Sequence, residues 1–483
     1  MRLFDLMDGE LNEVSNVAAI KEIEISGLTC DSRKVGPGFL FAAIPGGSLD
    51  GSAFIDDALE KGASAILAPV GVVQDRRAMV VTSNNPRRAY ALMSSRFFSE
   101  QPSQIAAVTG TNGKTSVVSF ARQLWTTLGS KAASMGTLGI SAPDFNSPEG
   151  LTTPDPSDLH RNLSSLSKAG VEKLAMEASS HGLSQYRLDG VNVSIAAFTN
   201  LSRDHLDYHA SMEEYLGAKL RLFREILPAD GVAVLNADID QYQTLCQAVE
   251  CRVLSFGKNG TDIRLDKLEA FEGGQRLDLT VMGESYKISL PLSGAFQVEN
   301  ALCALGLILA DGAIVDAAVT ALETLEGVPG RLQHVGTRRN GAAVYVDYAH
   351  TPDALANVLK AMRPHARNRL NIVFGCGGDR DAGKRPEMGK IACDLADEVI
   401  VTDDNPRGEN AAEIRAQVLA ACPSAGEVGD RKKAIDQGVA ALQAGDILIV
   451  AGKGHETGQI INGEVHPFDD ADEIRRAIRE AEA

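Results

Sequence analysis

Short, wholly apolar runs broken by polar, glycine-bearing turns dominate the chain. FLFAAI (39–44), ASAILA (63–68) and AMVVT (78–82) are too short for helices and read as buried strands, and helical spacing follows from Arg87 to Phe98. The polar, proline-bearing stretch SEQPSQ (99–104) reads as a linker. IAAVT (105–109) then predicts a strand that runs into a glycine-rich turn. An amphipathic helix follows, with Val117, Val118, Phe120, Ala121, Leu124 and Trp125 as its apolar positions. KLAM (173–176), VSIAAF (193–198) and VAVL (232–235) predict further strands. From 262 to 291 the period changes to two, with turns at Gly273-Gly274 and Gly283, which predicts a small antiparallel meander. One long helical stretch is expected from Gln297 to about Leu325, closed by GVPGR (327–331).

Beyond that point the alternation is most regular. AVYV (343–346), NIVF (371–374), EVIV (398–401) and ILIV (447–450) alternate with helical patterns, as in a parallel α/β sheet. The chain thus reads as an α/β protein of three domains: 1–103, 104–330 and 331–483. Its 483 residues agree, at about 150 residues per domain.

Composition narrows the class. Hydrophobic residues make up 44% and charged residues 23%, enough for several cores and unlike a disordered or fibrous chain. A net charge of −17 argues against holding nucleic acid or anionic lipid by a general field, though not against a local basic pocket. Seven scattered cysteines without paired zinc spacing suit a reducing compartment. The opening MRLFDLMDGE lacks a basic-then-apolar signal pattern, and no apolar run reaches the roughly 18 residues of a membrane span. The expectation is a cytoplasmic protein without membrane insertion. The sequence is silent on oligomeric state, and a monomer is the working expectation.

The turn after IAAVT is Gly110-Thr111-Asn112-Gly113-Lys114-Thr115-Ser116. A glycine-rich loop between strand and helix aims successive N–H groups at one point, at the positive end of the helix dipole, and so cradles phosphates. Lys114 would supply charge to the outer phosphates, and the Thr115 hydroxyl is placed for Mg2+. The spacing GxxGK[ST] is shorter than the common GxxxxGK[ST], and a glycine turn with a solvated lysine is the alternative. GTNGKTS resembles the ATP loop of the Mur ligase family, ATP-dependent enzymes that add amino acids to the peptidoglycan precursor. It is also similar to the loop of folylpolyglutamate synthases.

Downstream lie LTTPDP (151–156), MEASSHGL (176–183), TNLSRDHLDYH (199–209) and YLGAKLRLF (215–223). Taken singly, Glu177 could be a capping carboxylate, His205 a surface histidine and Lys219 a solvated helix lysine. Together and in this order they resemble the central domain of the family. The resemblance implies that Glu177 and His205 ligate magnesium and that Lys219 is carbamylated. It further implies that Thr152, Thr153, Ser179, Gln185 and Arg187 hold a UDP-muramoyl peptide and that Asn300, in FQVENAL, lies near the adenine. Cys30-Asp31-Ser32-Arg33 and the following GPGFLFAAIPG resemble the uridine-binding domain of the family, and by that resemblance Ser32 would touch the UDP precursor. The same short motif could equally be a turn.

Ligands of open α/β sheets bind at the carboxyl ends of the strands. Here the four C-terminal strands are followed by Asp347-Tyr348-Ala349-His350, by GCGGDRDAGKR (375–385) with Arg380, by Asp404-Asn405-Pro406-Arg407, and by Gly452-Lys453-Gly454-His455-Glu456. Glycine and aspartate punctuate turns anyway, but that does not explain Arg380, Arg407 or Glu456. Arginine forks bind carboxylates bidentately while acidic side chains hold an ammonium, so the set suits a zwitterion with more than one carboxylate.

The DNPR string is similar to the signature of family members that add diaminopimelate, which implies that Arg407 reads the distal carboxylate that lysine lacks. The resemblance also implies that Gly452 and Glu456 contact the far end of that amino acid. Arg331, Asp347 and His350 would then face ATP. It implies a three-domain fold with a P-loop central domain and a Rossmann-like C-terminal domain. ATP and Mg2+ are the implied cofactors, with UDP-MurNAc-L-Ala-D-Glu and meso-diaminopimelate as substrates. The alternatives are a lysine-adding relative, a folylpolyglutamate-type ligase and, in another class, an ATPase switch that needs no amino acid.

Overall fold

The computed structural model describes residues 1–7, 13–14, 20–46, 50–72, 78–143, 145–147, 150–205, 208–271 and 273–482. These form two compact units, 1–263 with 303–314 and 264–302 with 315–483.

In the first unit a five-stranded sheet has the order Glu13–Val14, Met79–Ser83, Ala65–Pro69, Phe39–Ala42, Gly27–Thr29, parallel except for the first pair. Helix Pro86–Phe97 packs Ala89, Tyr90 and Met93 against it. Asn85 caps that helix by accepting from Arg88 N, and Pro86 occupies the first turn, where a missing N–H costs nothing.

A second sheet in the same unit runs Arg252–Gly257, Val232–Asn236, Val193–Phe198, Gln104–Thr109, Lys173–Glu177, Ala132–Gly136, Gly139–Ala142, Phe145–Ser147. Its first six strands are parallel and the last two turn back antiparallel. Ile105 to Val108 are buried on both faces, which is why this strand reads as an unbroken apolar run.

The predicted meander is formed by Ile263–Phe271, Gly274–Val281 and Glu284–Leu290, from Arg264 onward in the second unit. The single helix expected from Gln297 to Leu325 is instead two. Helix Ala295–Ala310 stops at Gly312 (φ 86°), whose N–H bonds Leu309 O while Ala313 N reaches back to Ile308 O. Only glycine takes that left-handed cap without strain. Helix Val315–Ala321 and a 3-10 turn, Leu322–Thr324, follow.

The C-terminal sheet is ordered Gln333–Thr337, Ala343–Asp347, Ile447–Ala451, Leu370–Phe374, Glu398–Val401, Gly426–Glu427, parallel apart from the first strand. Successive residues face opposite layers: Tyr345 and Ile449 pack into one core, Val344, Val346, Leu448 and Val450 into the other. The two edge strands carry no apolar run, so the sequence pattern missed them. A separate hairpin pairs Gly458–Ile461 with Glu464–Pro467.

Candidate functional site

The phosphate loop leaves strand Gln104–Thr109 and enters helix Lys114–Thr127 at its first residue. Gly110 (φ 142°) and Gly113 (φ 88°) take backbone conformations that side chains disfavour, and a Cβ at Gly110 would collide with Thr199. The TNLS segment clamps the loop. Thr111 N donates to Asn200 O at 2.9 Å, Asn112 N to Asn200 Oδ1 at 2.9 Å, and Thr199 Oγ1 to Asn112 O at 2.6 Å. Thr111 Oγ1 also lies 3.2 Å from the Tyr215 hydroxyl.

Two lysine side chains converge on this loop. Lys114 Nζ donates to Gly110 O (3.0 Å) and Thr111 O (2.8 Å), and Lys219 Nζ donates to Gly110 O (2.7 Å). Lys219 is 1% exposed, so it is no solvated helix lysine. Burial first, and then the charge of Lys114, holds its amine well below the usual lysine range. Glu177 ends strand Lys173–Glu177, paired across from Val108, two residues before the loop. It is 1% exposed and accepts from Thr137 N (2.9 Å) and Thr137 Oγ1 (3.3 Å). His205 (φ 53°) is half-exposed, its Nε2 3.5 Å from Asp204 Oδ2, with its ring centroid 4.9 Å from that of His181.

Among the described residues no group of three or more His, Cys, Asp or Glu forms a ready metal cage. Mg2+ does not require one, because it keeps waters and takes one or two protein oxygens plus phosphates. The buried Glu177 carboxylate and the Thr115 hydroxyl beside the loop fit that kind of site.

Next to the loop, Thr152, Thr153, Ser179, Gln185 and Arg187 form one linked network. Thr137 Oγ1 and Thr152 Oγ1 lie 3.0 Å apart, and Thr153 Oγ1 donates to Glu177 O and accepts from Ser179 N. Arg187 donates to Thr153 O and to Gln185 Oε1, both at 2.7 Å. Gln185 and Arg187 reach the wall of a cavity of about 960 Å3, together with Cys30, Asp31, Lys34, Arg87, Tyr90 and Asp155. Ser32 is not in this lining among the described residues; it is buried, and its carbonyl accepts from Lys61 Nζ.

Asp155, in the wall of the same cavity, was not singled out from sequence. It accepts from Cys30 Sγ (3.1 Å), Tyr90 OH (2.9 Å) and Ser157 N (3.0 Å), so it caps helix Pro156–Lys168 and ties its start to Cys30 and to helix Pro86–Phe97. Its signal was the Asp-Pro step in LTTPDP, a helix start.

In the second unit the four strand ends meet. Gly452 N donates to Asp347 O, and Gly378 N to Asn405 O. Arg407 Nη1 donates to Gly378 O (2.9 Å), Asn405 Nδ2 to Glu456 Oε2 (2.8 Å), and Lys453 Nζ to Glu456 Oε2 (3.1 Å). Asp404 Oδ1 is buried without a hydrogen-bond partner among the described residues, and burial raises its carboxyl above the ordinary range. Arg380 is exposed and donates to the Asp379 carbonyl. Beneath it, the buried Arg385 grips both oxygens of Glu409, which also accepts from Asp379 N. Neither Lys453 nor Arg385 was singled out from sequence, since a lysine or arginine in a polar loop or helix carries no mark of burial.

Arg331, Asp347, His350 and Asn300 occupy the same unit. Arg331 stacks over the Tyr348 ring at 4.3 Å, and Asp347 accepts from Leu332 N (2.7 Å) and Ala349 N (2.8 Å). Burial pushes the Asp347 carboxyl up to about 6 against the opposing pull of Arg331. Asn300 bonds Gln297, which in turn donates to Arg331 O. His350 Nδ1 lies 2.9 Å from Tyr348 O, and Lys384 donates to His350 O.

Three family models match successive parts of the chain: the Mur ligase family catalytic domain over 24–95, the Mur ligase middle domain over 108–308, and the Mur ligase glutamate ligase domain over 330–454. The chain belongs to the Mur ligase family and has its three-domain α/β architecture. It is 51% identical to the UDP-N-acetylmuramoyl-L-alanyl-D-glutamate--2,6-diaminopimelate ligase of Caulobacter vibrioides, over 99% of this chain and 100% of that protein. The protein of the same name from Bradyrhizobium diazoefficiens is 50% identical, over 99% of each chain. A solved structure of an enzyme of that name superposes with a TM-score of 0.74 at 35% identity, covering 99% of this chain and 100% of the other.

Proposed function

We propose that the protein adds meso-diaminopimelate to the D-glutamate of UDP-MurNAc-L-Ala-D-Glu at the expense of ATP, in peptidoglycan precursor synthesis. The observation that carries this reading is the DNPR loop, in a chain that shares half its residues with diaminopimelate ligases and has Asn405 bonded to Glu456 at a common strand-end cluster. The three segments divide the work. Residues 1–103, with Gln185 and Arg187, take the precursor, 104–330 take ATP, and 331–483 take the amino acid. The enzyme works as a monomer in the cytoplasm. Among the described residues no helix is long and apolar enough to cross a membrane, and all seven cysteines are free.

The γ-phosphoryl group passes to the glutamate carboxylate, giving an acyl phosphate. The amine of diaminopimelate attacks that carbonyl, and phosphate leaves from the tetrahedral adduct. Such a sequence needs positioning and charge stabilisation more than a protein nucleophile. The N–H groups from Gly110 to Ser116 cradle the phosphates, and Lys114 leaves its loop carbonyls to follow the transferring group. Asn300, Arg331, Asp347 and His350 hold the remainder of the nucleotide. Thr115, Glu177, His205 and a carbamylated Lys219 would hold Mg2+, which would offset the charge developing between the phosphate and the carboxylate. Burial and the charge of Lys114 support the carbamate: both favour the neutral amine that adds CO2 with loss of one proton, and the resulting anion would be offset by Lys114 and Mg2+. Arg380 and Arg407 take carboxylates of the incoming amino acid, and Asp404 and Glu456 its distal ammonium.

Purified protein supplied with ATP, Mg2+ and UDP-MurNAc-L-Ala-D-Glu should release phosphate with meso-diaminopimelate and far more slowly with L-lysine. Turnover with lysine alone, or without any amino acid, would overturn the reading. With labelled bicarbonate, Lys219 should carry the label; an unlabelled lysine in active enzyme would exclude the carbamate.

A further inference from the structure

Lys453 follows strand Ile447–Ala451 and is wholly buried, at 0% exposure. Its ammonium donates to Gly458 O (2.5 Å), Glu456 Oε2 (3.1 Å) and Asn405 Oδ1 (3.3 Å), and Asp404 Oδ1 lies 4.0 Å away. Three chain segments therefore meet on one nitrogen: the strand end, the DNPR loop and the hairpin Gly458–Ile461/Glu464–Pro467. Asn405 completes the junction, since its Nδ2 is spent on Glu456 and its Oδ1 also accepts from Ile460 N at 2.9 Å. Gln459 Nε2 donates to Asp404 O at 2.6 Å.

The hairpin has a definite effect on Arg407. This residue has φ 51°, a left-handed conformation that disfavours a side chain. Its backbone is held there from both sides, by Arg407 N to Ile460 O (3.0 Å) and Asn462 N to Arg407 O (2.7 Å). Those two bonds fix the direction in which the side chain leaves the loop.

Resting on the diaminopimelate reading above, we infer that Lys453 is a positioning residue for amino-acid specificity: it locks the hairpin to the DNPR loop, and the hairpin fixes the backbone of Arg407. It touches no reacting atom. Its removal strips a donor from the buried Asn405 and the half-buried Glu456 and Gly458 at once, and methionine offers none in its place. Asp347, with its own backbone donors Leu332 and Ala349, is held by bonds that do not pass through Lys453.

The test is Lys453→Met in the full chain, which keeps the aliphatic stem and removes the donors. The KM for meso-diaminopimelate should rise about tenfold or more, the preference over lysine should shrink, and the KM for ATP should stay within about twofold. Amide hydrogen exchange should quicken over 458–467 and 405–408. Gln459→Ala, which cuts a second bond between hairpin and loop, should act in the same direction with a smaller effect. Lys453→Gln, which keeps an amide donor on a shorter stem, decides the matter by the same readouts if Lys453→Met does not fold. An unchanged KM for diaminopimelate, or equal losses for ATP and the amino acid, would overturn the inference. If wild-type protein ignores diaminopimelate, the substrate reading fails on its own. The inference about Lys453 then stands on exchange, and unchanged hairpin protection in Lys453→Met would sink it.

Discussion

The phosphate loop and the C-terminal strand-end cluster both lie where parallel strands finish, yet they are built differently. The loop is seven consecutive residues whose main chain makes the cradle, and Lys114 and Lys219 rest on its carbonyls. The cluster is assembled from side chains of segments that lie far apart in sequence, with Arg407 reaching Gly378, Asn405 reaching Glu456, and Lys453 reaching Asn405. A main-chain cradle serves any nucleotide-driven member of a family. A side-chain frame can be retuned one residue at a time, and that is where substrate choice belongs.

That division can be attacked directly. The largest effect should come from Lys114→Met, which removes the charge proposed to follow the transferring phosphoryl group. We expect kcat to fall by roughly 10^3 to 10^4, whichever amino acid is supplied, with folding unchanged. A loss confined to one amino acid would erase the distinction between the two regions. Arg407→Ala should cost about 10^2 to 10^3 in kcat/KM for meso-diaminopimelate, because a carboxylate would lose its bidentate partner. Nucleotide affinity, read by titration with an ATP analogue, should stay within about twofold. An equal fall in that affinity would mean that Arg407 serves ATP.

The smallest effect concerns stability. His160 is wholly buried in helix Pro156–Lys168, 3.1 Å from Asp189 O, and burial lowers its imidazole from 6.5 to about 4. The unfolded chain therefore binds this proton more readily than the folded one. This contribution is intact above about 6.5 and declines as the pH falls toward about 4, by about 3 kcal/mol in all. Thermal unfolding from pH 7 to 5 should show that decline in wild type and a flatter profile in His160→Gln. Equal slopes would remove His160 as the cause.

Much of this fold was legible because burial on both faces makes a parallel strand an unbroken apolar word. VSIAAF, predicted at 193–198, is strand Val193–Phe198. Edge strands such as Gln333–Thr337 bury one face or none and left no such word. The helix break at Gly312 was visible as a glycine, but only its positive φ and the reach of Ala313 to Ile308 make it a cap.

The sequence by itself determined the α/β class, the phosphate loop and the strand ends that carry DNPR and GKGHE. Each is local: a period, or a run of residues whose chemistry works on its own backbone. Tertiary structure alone decided that Lys219 is buried against Gly110, that Asp155 joins Cys30 to helix Pro86–Phe97, and that Lys453 links the DNPR loop to a hairpin. Burial and pairing depend on which distant segments surround a side chain, and a lysine is written the same way whether water or a carboxylate meets it.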